Sequence, residues 1–157
     1  MVTERDCPKI KVPPPIAFLV LAIIAGALEY GVGFDYSRGP MLARVLIALL
    51  LFVASGYLAL HAVVVLKQGG TYVDPGKPTR QLVAEGPFQF SRNPMYLSLV
   101  IALLGLSVLF LSIWFFLSTI ILGIVLDQTA VRPEEAYLEK KFGGDYTAYR
   151  KKVRKWI

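Results

Sequence analysis

Long runs of apolar residues alternate with short polar segments along this chain, and the runs have the lengths of membrane spans. They extend from Ile16 to Tyr30 or slightly beyond, from Met41 to Leu66, and from Met95 to Leu126. A helix requires about 20 mainly apolar residues to cross the hydrocarbon core of a bilayer. The pattern therefore predicts transmembrane helices and excludes a soluble globular protein.

The third run is too long for a single ordinary span. Its 32 residues would form about 48 Å of helix, whereas the hydrocarbon core is about 30 Å thick. Two closely packed helices that turn near Phe110–Trp114 fit this length better than one strongly tilted helix. We therefore predict an all-α integral membrane protein with about four transmembrane helices, of which the last two form a helical hairpin.

The polar segments divide the chain without separating it into independent domains. We predict a single membrane domain, residues 1–157, because the length suits one domain. Its parts are an N-terminal arm (1–15), two transmembrane helices (16–66), a cytoplasmic loop (67–94), the hairpin (95–127) and short cytoplasmic C-terminal helices (128–157).

The distribution of positive charge predicts the orientation in the membrane. The net charge is +6, and all but two of the 17 Lys and Arg residues lie in the N-terminal arm, the 67–94 loop or the C-terminal tail. The exceptions are Arg38 and Arg44. With four spans these three Lys- and Arg-rich segments lie on the same side of the membrane, so the positive-inside rule places both termini in the cytoplasm. This placement indicates a lipid bilayer rather than nucleic acid as the partner of the basic residues.

Few residues are available for metal or disulfide chemistry. The chain has one cysteine, Cys7, and one histidine, His61, which excludes an internal disulfide and a Cys/His metal cluster. No metal site is predicted. His61 lies within the second apolar run, and we interpret it as a packing histidine. Glu29 lies near the end of the first run, where an ionisable group is a hint of function.

The C-terminal tail has the pattern of two short helices. Pro133 suits a first helical position, and Glu134 and Glu135 complement the dipole of a first turn. Gly143 and Gly144 interrupt the pattern, and Asp145 is a good N-cap for the last helix. The five cations of that last helix suit contact with a membrane surface.

The stretch GPFQFSRNPMYL, residues 86–97, can do more than begin the third apolar helix. Asn93 is a favoured N-cap and Pro94 suits the first helical position, so a well-capped helix is the simplest interpretation. A helix N-terminus also attracts carboxylate or phosphate groups. A helical hairpin would return the chain to the same membrane face at Glu134, and the two polar clusters could then line one pocket.

These two motifs together resemble a known family. LVAEGPFQFSRNPMYL followed by EEAYLEKKFGGDYTAYRKKVRKWI is similar to the isoprenylcysteine carboxyl methyltransferase and phospholipid methyltransferase-like group of integral membrane enzymes. The resemblance covers about residues 67–157. It implies S-adenosylmethionine as the methyl donor, bound in a cytoplasm-facing pocket, and a lipophilic or membrane-partitioned acceptor such as a carboxylate, thiol or amine.

The resemblance also implies residues of the cofactor site. The positions that match the family's cofactor contacts are Arg80, Gln81, Leu82, Val83, Phe88, Asn93, Pro94, Met95, Tyr96 and Glu134. We also predict that the adjacent Arg92 binds the cofactor. If the acceptor is an amine, its proton must be taken up, and Glu135 and Tyr146 are candidates for this proton transfer.

Three positions depart from the eukaryotic carboxyl methyltransferases. Asn93 replaces a histidine, Phe88 replaces a common tyrosine, and Ala130 stands where those enzymes have the arginine that holds the prenylcysteine carboxylate. Arg132 is two residues out of register. The departures argue against isoprenylcysteine as the acceptor. Alternatives from other classes are a nicotinamide-dependent membrane reductase of the sterol-reductase type and a non-catalytic membrane scaffold, and the sequence does not indicate the oligomeric state.

Overall fold

The computed structural model describes residues 7–8, 10–32, 40–74 and 76–157. The predictions for residues 1–6, for Lys9 and for the turn around Gly39 lie outside these ranges. Across the described ranges the chain is helical and contains no strand. The α-helices are α1 (Pro14–Val32), α2 (Met41–Gln68), α3 (Pro94–Phe110), α4 (Ile113–Leu126), α5 (Arg132–Phe142) and α6 (Gly144–Lys152).

Three helical segments are long and apolar enough to cross a membrane. They are α1, α2 and the continuous stretch Ile113–Phe142. The remaining apolar helix, α3, has 17 residues and is therefore about 26 Å long. The prediction of an integral membrane protein is confirmed, while the count of four spans depends on α3 and stays a prediction.

The outer surfaces of these helices are apolar, as expected for contact with lipid. Large apolar side chains are exposed along α1, α2 and α4, among them Ile23, Leu50 and Ile124. A contiguous apolar surface of this extent would be unusual on a protein surrounded by water. Its place in a bilayer explains why so few residues of the spans are buried by the protein itself.

Helix α3 lies between α2 and α4, and its contact with α2 is the most extensive between any two helices described. The ring of Phe52 in α2 packs closely on Gly105 of α3, where an added Cβ would lie only 2.8 Å from the ring. Ser55 of α2 also donates a hydrogen bond to the carbonyl of Ser98, at 2.8 Å. The Ser55–Ser98 contact lies near the N-terminal end of α3, where the predicted site residues lie.

The helix break between α3 and α4 falls within the predicted range. Leu111 has a left-handed conformation with φ of 49°, and Ser112 caps α4 by accepting a hydrogen bond from the amide of Phe115 at 3.3 Å. Glu29 of α1 accepts a short hydrogen bond from the Ser112 hydroxyl. Its carboxylate therefore joins α1 to this turn.

Of two predicted helix caps, Asn93 is the N-cap residue of α3 as predicted and Asp145 is not the N-cap of α6. Helix α3 begins at Pro94 as predicted, but the Asn93 side chain does not cap it; the Asn93 amide donates instead to the carbonyl of Lys155 at 2.9 Å. Helix α6 begins at Gly144, and its N-cap is Gly143 rather than Asp145. Gly143 has φ of 53°, which a glycine adopts at little cost, so the helix begins two residues earlier than predicted and Asp145 lies in its first turn.

The C-terminal helices are joined directly to α4. Residues Asp127–Val131 form a π-helical segment, and α5 follows at Arg132, with Pro133 in its first turn as predicted. A π-helical segment inside an α-helix is uncommon and is frequently found near functional sites. Here it changes the direction in which the side chains of α5 point relative to those of α4.

Candidate functional site

A cavity lies where the 67–94 loop meets the start of α3 and the C-terminal helices. It opens to solvent, and the space between its walls, including the open solvent at its mouth, is about 470 Å³. Its lining combines apolar side chains of the loop with the charged side chain of Arg92, just before α3, and those of Glu134 and Glu135 in α5. The residues that line it are Leu66, Thr71, Thr79, Gln81, Leu82, Val83, Phe88, Arg92, Asn93, Glu134, Glu135, Leu138, Tyr146 and Tyr149.

Most of the residues predicted from the sequence line this one cavity. Those that lie outside its lining are Arg80, Pro94, Met95 and Tyr96. Pro94 is fully buried at the start of α3, and the carbonyl of Met95 accepts a hydrogen bond from Ser98. The structure thus brings together residues from two motifs that are about 40 positions apart in the sequence.

Arg92 and Glu135 form an ion pair at the wall of the cavity. Nη2 of Arg92 lies 2.9 Å from Oε1 of Glu135, and the two side chains are only 7% and 11% exposed. The contact pairs Oε1 with the guanidinium electrostatically, although its geometry is not that of a hydrogen bond. Nε and Nη1 of Arg92 also lack a hydrogen-bond partner within the part of the chain that the structure describes.

Buried polar atoms without partners are rare in folded proteins, because each one costs free energy. Here Nε and Nη1 of Arg92 are buried without hydrogen-bond partners in the described part of the chain, Nη2 is paired with Glu135, and both residues line a cavity that opens to solvent. This arrangement suits a ligand that carries a negative and a positive group next to each other.

A second cation approaches Glu135 from the C-terminus. Nζ of Lys155 lies 3.6 Å from Oε2 of Glu135 and 3.0 Å from Oδ1 of Asp127. Asp127 is also paired with Arg132, at 2.7 Å. A chain of alternating charges therefore links the start of α3, the π-helical segment, α5 and the C-terminal residues.

Glu134 is oriented by a tyrosine of α3. The Tyr96 hydroxyl donates a hydrogen bond of 2.7 Å to Oε2 of Glu134. Tyr96 itself is buried and lies outside the cavity lining, so its effect on the cavity passes through Glu134. A hydrogen bond to a carboxylate is stronger than one between neutral groups, and it holds Glu134 in a defined position.

The two tyrosines of α6 form the floor of the cavity. Their rings meet edge to face, with 6.2 Å between the centroids, and the Tyr149 hydroxyl donates to the carbonyl of Phe88 at 2.7 Å. Burial raises the pKa of Tyr146 to about 12, and burial likewise raises the pKa of Tyr149. Tyr146 therefore keeps its proton near neutral pH, which suits hydrogen-bond donation better than proton abstraction.

The loop that covers the cavity is held by polar contacts. The amide of Thr79 donates to the hydroxyl of Tyr137 at 3.1 Å, and the amide of Arg80 donates to Thr71 Oγ1 at 3.0 Å. The guanidinium of Arg80 lies 4.7 Å from the centre of the Tyr72 ring. Arg80 thus stabilises the loop from outside the cavity.

A separate apolar groove of about 890 Å³ lies on the other side of the Gly86–Gln89 turn. Tyr57 and His61 of α2 line it together with Trp156. His61 stacks at a tilt against Tyr57, with 5.5 Å between the centroids. Within the turn, Pro87 faces this groove and Phe88 faces the cavity.

Sequence reasoning missed part of the site. Thr71, Thr79 and Leu138 line the cavity, and Lys155 joins its charges. Threonines in a polar loop and one lysine among many have no sequence pattern that marks them as residues of a binding site. Only the contacts made by the folded chain distinguish them.

The fold and the site together define a helical membrane protein with a charged, partly enclosed ligand cavity at one end of its apolar helices. The phospholipid methyltransferase family model matches residues 43–145, a range that covers α2 to the first turn of α6. The chain belongs to this family, and its class is that of the membrane methyltransferases.

One relative is similar over its whole length. It is a protein of Haemophilus influenzae described as uncharacterized, which is 41% identical over 63 residues; this stretch is 40% of the present chain and 100% of the relative. No solved structure matches the chain.

Proposed function

We propose that the protein transfers a methyl group from S-adenosylmethionine to a lipophilic acceptor that partitions into the membrane. The observation that carries this proposal is the buried guanidinium of Arg92 at the cavity wall: its Nε and Nη1 have no hydrogen-bond partner in the described part of the chain, and its Nη2 is paired with the carboxylate of Glu135. The amino-acid end of S-adenosylmethionine has a carboxylate and an ammonium group on one carbon. Arg92 would bind the carboxylate, and Glu135 would bind the ammonium group.

The rest of the lining fits the remainder of the cofactor. Phe88 offers an aromatic surface for adenine, and the apolar side chains of Leu82 and Val83 offer a dry contact beside it. Glu134, held by Tyr96, would accept hydrogen bonds from the ribose hydroxyls. When bound, S-adenosylmethionine supplies an activated methyl group, and the residues of this chain orient donor and acceptor.

The charges of the cavity argue against the nicotinamide alternative. Glu134 and Glu135 place two carboxylates beside the single guanidinium of Arg92. A dinucleotide brings several phosphate charges, which these carboxylates would repel. A zwitterionic amino-acid end meets one cation and one anion and avoids this cost.

The apolar groove beside the Gly86–Gln89 turn supports a lipophilic acceptor. It opens between α2 and the C-terminal residues, and its lining is mainly apolar. An acceptor could enter sideways from the lipid while the cofactor enters from water. Glu135 is engaged by Arg92 and Lys155, which favours a binding role for it over the proton transfer considered from the sequence.

Calorimetry with the full-length protein in lipid-supplied detergent tests the proposal. We expect S-adenosylhomocysteine to bind with micromolar affinity and NADPH not to bind. Binding of NADPH instead would establish the reductase alternative. Absence of binding by both, in protein shown to be folded by circular dichroism, would leave the scaffold alternative.

We further propose that α1 to α4 each cross the bilayer and that both termini and the 67–94 loop are cytoplasmic. Cys7 is the sole cysteine in the sequence, so it can be labelled selectively with a membrane-impermeant maleimide. The matched probe is Ile157→Cys, at an exposed C-terminal position, combined with Cys7→Ser. Four spans require both cysteines to react from the same side in inside-out vesicles and neither in intact cells; reaction from opposite sides would exclude an even number of spans.

A further inference from the structure

The five residues after α6, Val153–Ile157, cross the start of α3 in a fixed position. The carbonyl of Arg154 accepts a hydrogen bond of 3.1 Å from the amide of Arg92. The carbonyl of Lys155 accepts from the side chains of Asn93 and Ser91, at 2.9 and 3.4 Å. We call these five residues the C-terminal strap.

The strap places one lysine side chain differently from the other cations of the tail. Lys155 is 30% exposed and contacts two carboxylates, Asp127 and Glu135. Lys151 and Lys152, at the end of α6, are exposed. The prediction that the cations of the tail contact the membrane surface therefore does not apply to Lys155.

The two oxygens of Glu135 are divided between two cations. Oε1 faces Arg92 at 2.9 Å, and Oε2 faces Lys155 at 3.6 Å. An arginine and a carboxylate otherwise favour a bidentate pair, in which two N–H groups meet both oxygens. A bidentate pair here would occupy a second nitrogen of Arg92 and remove a donor from the cavity.

We propose that Lys155 is a positioning residue for the cofactor site. By attracting Oε2 of Glu135, it keeps the Arg92–Glu135 contact to one oxygen, so the remaining donors of Arg92 face the ligand cavity. Lys155 itself touches no ligand and acts through Glu135. The inference deepens the proposed function and rests on it, because the ligand whose carboxylate meets Arg92 is S-adenosylmethionine.

Lys155→Met in the full-length protein tests this role, with Lys152→Met as the control for loss of one tail cation. The probe is S-adenosylhomocysteine, titrated by calorimetry, and the melting temperature of each variant is recorded. We expect Lys155→Met to raise the Kd about tenfold and Lys152→Met to change it less than about twofold. Lys155→Arg keeps the charge and should restore most of the affinity, whereas a residue that only stabilised the fold would not require a charge.

A double-mutant cycle tests whether Lys155 acts through Glu135. In a Glu135→Gln background, Lys155→Met should raise the Kd by less than about twofold further, because the carboxylate on which Lys155 acts is gone. Equal effects of Lys155→Met in both backgrounds would overturn the inference, as would equal affinities of Lys155→Met and Lys152→Met. If Lys155→Met does not fold, Lys155→Gln, which keeps a polar side chain without its charge, takes its place in the cycle.

The failure of this inference differs from that of the proposed function. Wild-type protein that binds no S-adenosylhomocysteine would contradict the proposed function and the inference with it. Wild-type protein that binds the ligand, with Lys155→Met binding equally well, would overturn the positioning role alone.

Discussion

Arg92→Met removes the buried guanidinium on which the account of the cavity depends. Nε and Nη1 of Arg92 are without partners in the described part of the chain, so a bound carboxylate can gain at least one charge-assisted hydrogen bond there. Such a bond contributes about 1.5–3 kcal/mol. That corresponds to a Kd for S-adenosylhomocysteine about 10- to 150-fold higher in the variant.

The same substitution also affects folding, and the two effects must be separated. Breaking a buried ion pair costs about 3–5 kcal/mol when the remaining charge is left alone. Lys155 stays 3.6 Å from Glu135, so we expect a cost near the lower limit, about 3 kcal/mol. Thermal unfolding of the variant in detergent measures this cost, and Arg92→Lys provides a folded alternative that keeps the charge and loses the planar geometry.

Arg80→Met is the matched control, because it removes the same group from outside the cavity. The Arg80 side chain is exposed and stacks on Tyr72, so we expect its loss to change the Kd by less than about threefold. Calorimetry at constant detergent and lipid gives both values. Similar Kd values for the Arg92 and Arg80 variants would refute the assignment of Arg92 to the cofactor carboxylate.

Three further predictions concern single side chains. Tyr96→Phe removes the hydroxyl that orients Glu134. We expect it to raise the Kd for S-adenosylhomocysteine about tenfold with little change in melting temperature. An unchanged Kd in calorimetry would show that Tyr96 does not contribute to cofactor binding. Gly105→Ala should lower the melting temperature because its Cβ would lie 2.8 Å from an aromatic ring of α2, whereas Gly123→Ala, where the Cβ meets nothing within 4 Å, should not; equal melting temperatures would contradict the close approach of α2 and α3. The pKa of Tyr146 rises from 10.0 in the unfolded chain to about 12 in the folded protein, so the free energy of unfolding should fall as the pH rises between these values. This fall should be shallower in Tyr146→Phe. Identical melting temperatures of the two proteins at every pH from 9 upwards would show that Tyr146 does not contribute.

The architecture of the chain could be predicted because it depends on local patterns. Apolar runs of span length and the Pro94 start signal locate α1, α2 and α3 to within two or three residues. The break near Leu111 follows from length alone, since 32 apolar residues exceed one crossing. Each of these inferences uses neighbouring residues, whose conformations are coupled directly along the backbone.

The site could be predicted only in part, because its contacts join distant residues. Asn93 was expected to cap α3, yet its amide pairs with Lys155, 62 positions away. The Asn93 side chain binds the C-terminal strap instead of the first turn of α3. No pattern of neighbouring residues predicts this contact. Arg92 and Glu135 were both candidates from the sequence, Arg92 for cofactor binding and Glu135 for proton transfer, but their pairing became visible only in the folded chain.

The transfer of a labelled methyl group tests the central claim most directly. Full-length protein in lipid vesicles is incubated with S-adenosylmethionine that carries a radioactive methyl group, and the lipid-soluble products are extracted. We predict label in the lipid-soluble fraction with wild-type protein and a loss of at least about tenfold with Arg92→Met at limiting cofactor concentration. Label that stays entirely in the aqueous phase, with folded protein and lipid extracts from several sources, would contradict methyl transfer to a lipophilic acceptor.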